Sequence, residues 1–187
     1  MATPWSGLTT TSQRVLNGNY DIEWLLLKIR QDLDRSMLAA PQFHYSAIDF
    51  AVGIASLIDW TFHYCAKNNP TWAAMKPKDG LKAFVKYIAE QNIAVAAFTD
   101  LANEFKHADR NKPSITLAKL TIVWVRSASD LESRPEWIEN SIRGRSSNGM
   151  VMIPFVGLSD GRFPFYKAFA MQALDWWSAF DAMAPIV

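Results

Sequence analysis

Three histidines, His44, His63 and His107, are the only imidazoles in the chain, and two of them stand near carboxylates at helical spacing. In Asp59-Trp60-Thr61-Phe62-His63 the carboxylate and the imidazole are four residues apart, so a helix projects both from one side. A carboxylate beside an imidazole fixes its tautomer and raises its basicity, which suits a general base or a metal ligand. The same pair serves equally well as a hydrogen-bonded strut between two helices. In the segment from Asp100 to Arg110, Asp100, Asn103 and His107 recur at i, i+3 and i+7 and form one polar stripe. The expected core face of that helix, Val95, Phe98, Leu101, Ala102 and Phe105, lies nearly opposite. Such a stripe is either a solvated face or the lining of a groove or subunit contact. Asp59, His63, Asp100 and His107 together also offer the residue types of a zinc, manganese or iron site. They lack the Glu-x-x-His pairs of di-iron bundles, and no phosphate-binding glycine loop, paired-cysteine signature or HExxH is present. The expectation is no metal and no cofactor. His44 reads as structural or surface, and Cys65, on an apolar helical face, as core.

The segment Leu101–His107 resembles the motif of HEPN-type all-α domains, many of which are ribonucleases of toxin–antitoxin and phage-defence systems. Their signature is an Arg, a polar residue, then a few residues and a His at the end of a helix. Ala102, Asn103 and His107 occupy those places, over about six residues. The Asp-Trp-x-Phe-His helix, Ala-Asn-x-x-Lys-His, a hairpin, an Asp-Gly turn and a Trp-rich last helix also resemble a group of uncharacterised bacterial and phage proteins over much of 43–183. The resemblance implies a homodimer with a cleft between protomers. There His107 acts as general base, Asn103 orients it or the phosphate, and Asp59, His63 and Asp100 support the site. The motif Arg would hold the phosphate, and Ala102 has no group to do so. Lys106 or Arg110 would have to substitute as a less well positioned charge. Two functions follow from the resemblance. One is a dimeric module that binds RNA or a protein partner with degraded or absent ribonuclease activity. The other is an active metal-independent endoribonuclease.

The elements that would carry these residues are mainly helical. A helix starts at Asn19 or Asp21, with Ile22, Leu25, Leu26, Ile29, Leu33 and Met37 on one face and Trp24, Leu27 and Leu38 on a second strip. A second helix covers 42–66, and Asn68-Asn69-Pro70 ends it. Residues 67–78 read as an irregular crossing held by Trp72 and Met75. Asp79 is the expected N-cap of a helix to Glu90, followed by one through His107. Alternating β-branched residues over 114–126 and a run over 149–157 read as two strands, with Pro154 marking an edge. Ser159-Asp160-Gly161 turns into a last helix over 164–183 with a broad aromatic face. The expected fold is one mainly α domain spanning 1–187, a bundle of about five helices with a β-hairpin in its C-terminal half. Residues 1–18 read as a loose arm and 127–148, with Arg134, Arg143 and Arg145, as a mobile loop.

Composition sets the outer bounds. Half the chain is hydrophobic and a fifth charged, which excludes intrinsic disorder. Lys plus Arg is 19 against 18 Asp plus Glu, so no overall basic footprint for nucleic acid exists and any RNA contact is local or built by a partner chain. Eight tryptophans favour self-association. A single cysteine precludes an internal disulfide. The polar start lacks a secretory pattern, and no long apolar run suits a bilayer. The expectation is a cytoplasmic protein without membrane contact.

Overall fold

The computed structural model describes residues 22–36, 42–106, 118–125 and 151–181. In chain order these form α1 (Ile22–Arg35), α2 (Gln42–Asn68), α3 (Pro70–Ala73), α4 (Pro77–Gln91), α5 (Ile93–Lys106), β1 (Lys119–Val125), β2 (Val151–Gly157) and α6 (Tyr166–Ala179). The fold is therefore mainly α with a small antiparallel hairpin in the C-terminal half, as the periodicities predict. The expected arm 1–18 and loop 127–148 lie outside the described residues.

α2, 27 residues long, is the central element, because apolar side chains recur along its whole length. Phe43, Ala47, Phe50, Ile54, Leu57, Ile58 and Cys65 are all buried. α1 lies against one flank, presenting Ile22, Leu25, Ile29 and Leu33. The approach is close: a Cβ on Gly53 would stand 2.6 Å from Ile29 Cγ1. α4 and α5 run back along α2. Phe62 meets Phe84 at 5.8 Å between ring centroids, and further back Phe50 meets Phe98 at 4.9 Å. Between these contacts Ile58 shares an apolar crevice with Val85, Ile88, Val95 and Thr99. α6 closes the bundle against α1 and α5. Its Tyr166, Phe169, Ala173 and Trp177 are buried, so the predicted aromatic face is the inner face.

Boundaries differ from expectation where local capping competes with periodicity. The crossing over 67–78 is not wholly irregular. Asn69 accepts a hydrogen bond from the Thr71 amide (3.1 Å) and starts the one-turn α3. This turn seats Trp72 in the core, whereas Met75 is exposed at 39%. α4 starts earlier than Asp79 predicts: Lys76 is its N-cap and Pro77, with a preset φ, its first residue. Asn92 then ends α4 and starts α5, its Oδ1 accepting from the amides of Ala94 (2.9 Å) and Val95 (3.1 Å). That one side chain converts a continuous apolar pattern into two helices.

The hairpin pairs Lys119 with Gly157 through Val125 with Val151. The Val156 amide donates outward to the Pro164 carbonyl (2.9 Å) and that of Leu158 to Arg162 (2.9 Å). Amides alternate along a strand, so Pro154 lacks its N–H on this outer side and removes no bond from the β1 ladder. Gly161, at φ 84°, makes the turn toward α6, a backbone conformation that side-chain-bearing residues rarely adopt.

Candidate functional site

The residues singled out by spacing fall into two places, one on α2 and one on α5. Asp59 and His63 occupy the C-terminal half of α2, the half packed against α3 and α4. Their side chains are 50% and 48% exposed, and His63 Nε2 lies 3.6 Å from Asp59 Oδ1. The pair thus sits on the surface at close ionic distance. Asn103 and Lys106 belong to the last turn of α5. Because α5 runs antiparallel to α2, that turn continues beyond Phe98 and Phe50 toward the start of α2. From Phe50 to His63 alone the axis of α2 advances about 20 Å, at 1.5 Å per residue. The structure therefore does not bring Asp59 and His63 to the α5 stripe, and they cannot support a site there within one chain. His107 and Arg110 lie outside the described residues.

The stripe itself is not uniformly solvated. Asp100 is buried at 3% exposure and Asn103 is half-buried; Lys106, on the flank of the stripe, is exposed. The cause is the packing of α5. Ala94, Val95, Ala96, Ala97, Phe98, Asp100, Leu101 and Ala102 are all buried, so the helix is enclosed around its circumference by α2, α4 and α6. A helix buried on every side has no solvated face. Its last turn escapes that sheath, and Phe105, expected in the core, is 38% exposed. Ala102, the position matching the motif Arg, has 0% exposure and belongs to the main hydrophobic core. A longer polar side chain at that position would start from inside the core.

Among the described residues no group of three or more His, Cys, Asp and Glu could hold a metal. Asp59, His63 and Asp100 do not converge, which removes the described part of the four-residue metal site weighed from sequence. Cys65 is core, as its position on the wheel predicts: burial pushes its thiol up to about 12, with the negative charge of Asp181 acting in the same direction. His44 is on the surface, its ring edge-on to Phe43 at 5.6 Å.

One polar cluster escapes the spacing argument. Asp32 on α1 is 1% exposed, yet Lys28 Nζ donates to its carboxylate at 2.5 Å and Arg35 pairs with it from the other side. Arg35 also reaches Asp49 on α2 at 3.3 Å. Next to this carboxylate Ser36 is buried and donates to the Leu33 carbonyl (2.6 Å). The fully buried Tyr166 of α6 lies beside the cluster, its hydroxyl without a hydrogen-bond partner. Burial drives that hydroxyl far above the ordinary phenol range, and the charge of Asp32 raises it further. The i, i+4 and i, i+3 charges around Asp32 were legible as helix pairs. Their burial was not, because it depends on α2 and α6 closing over them. Through Arg35 and Asp49 the cluster ties α1 to α2.

No helix among the described residues is long and apolar enough to cross a membrane. In comparison with known proteins, no family, no curated protein and no solved structure matches this chain.

Proposed function

We propose that this chain is an HEPN-like helical module that acts as a homodimer and binds RNA or a protein partner without cutting RNA. The observation that carries the reading is the complete burial of Ala102. At the place where the resemblance puts a phosphate-holding arginine, this fold has a methyl group inside its core. Loss of one electrostatic stabiliser of the reacting phosphate costs on the order of 10²–10³ in rate. Burial adds to that loss, since a guanidinium could not be restored there without removing an unpaired charge from water. The exposed last turn of α5 still offers Lys106 as a cation, Phe105 as a ring and Asn103 as a half-buried amide. An exposed ring and an exposed cation on one helix end suit stacking on a base and phosphate contact, or anchoring in a partner's interface.

The test incubates the purified protein with single-stranded RNA and transfer RNA beside His107→Ala. The reading expects no cleavage by either form, and measurable RNA binding that weakens in Lys106→Ala. Cleavage by the native chain that disappears in His107→Ala would overturn it in favour of an active endoribonuclease. A stoichiometric protein partner recovered from the native extract without nucleic acid would instead make the bound molecule a protein. Light scattering reports whether the chain is a dimer.

A further inference from the structure

We draw no further inference here: the strongest candidate, the outward strip of α1 on which Trp24 and Leu27 are 39% and 59% exposed, is an apolar surface patch, and nothing in the structure shows what covers it.

Discussion

From Ala94 to Ala102, α5 is enclosed by α2, α4 and α6, whereas its last residues, Glu104 to Lys106, stand clear of that sheath. The two stretches belong to one helix and share one polar stripe, yet they face different surroundings. Asp100 sits in the interior and Lys106 in water, within two turns of each other. Residue 102 falls on the interior side. Its neighbour Asn103 falls at the border. A helix-borne motif can therefore keep its spacing while losing access, because access depends on where the surrounding helices stop.

Exchanging side chains across that border gives the largest expected effect. Ala102→Arg forces an unpaired guanidinium into the core and lowers stability by roughly 4 kcal/mol or more, whereas Lys106→Ala changes it by less than about 0.5 kcal/mol. Urea melts of the two variants measure both. Equal, small effects would break the contrast between the two stretches of α5.

The same logic extends to the helix that sheathes α5. In an exposed helix interior, Gly→Ala stabilises by up to about 1 kcal/mol. At Gly53 the added methyl would meet the stiff, β-branched Ile29 at 2.6 Å, so Gly53→Ala is expected to destabilise by about 1–3 kcal/mol, read from the shift in Tm. A smaller loss, about 1–2 kcal/mol, is expected for Asp32→Ala. The carboxylate is buried, but Lys28 and Arg35 are 41% and 55% exposed and regain water when it is removed. Smaller still is His63→Ala. Its partner Asp59 is half in solvent, and the change should stay within about 0.5 kcal/mol.

Alkaline stability sharpens the contrast between inside and outside by a different route. The Cys65 thiol is held up to about 12 in the fold, against an ordinary value of 9.0. Below the ordinary value the thiol is protonated in both folded and unfolded chains, and it is neutral to stability. As pH rises from about 9 toward 12 the unfolded chain ionises first, so stability falls through that window. Cys65→Ser should flatten that part of the stability–pH curve, followed by circular dichroism in urea.

Much of the architecture was legible in sequence, for a physical reason. The 3–4 residue recurrence from Phe43 to Cys65 and the aromatic face of Tyr166, Phe169 and Trp177 report burial directly, because those side chains have no alternative to the interior. The hairpin was legible in its alternation, and the turn at Gly161 in its composition. Asn92 was harder: its role as a cap shared by two helices depends on backbone amides rather than on hydrophobic pattern. Hardest were the carboxylates. Asp32, Asp59 and Asp100 are all helix-borne carboxylates, yet only Asp59 is half-exposed. Whether such a carboxylate is covered depends on the packing of other helices, which local spacing does not encode. The α5 stripe was legible as a line of polar residues and illegible as a gradient from core to solvent.

Thiol labelling at two points on α5 is the sharpest probe of whether residue 102 is sealed from solvent. Ala102→Cys and Lys106→Cys are each exposed to an uncharged maleimide under native conditions, with the parent's Cys65 as internal reference. The account predicts that the cysteine at 106 reacts at the rate of a free thiol. The one at 102 should react, like Cys65, only as fast as the chain opens. Equal, rapid labelling at 102 and 106 would contradict it and put residue 102 at the surface.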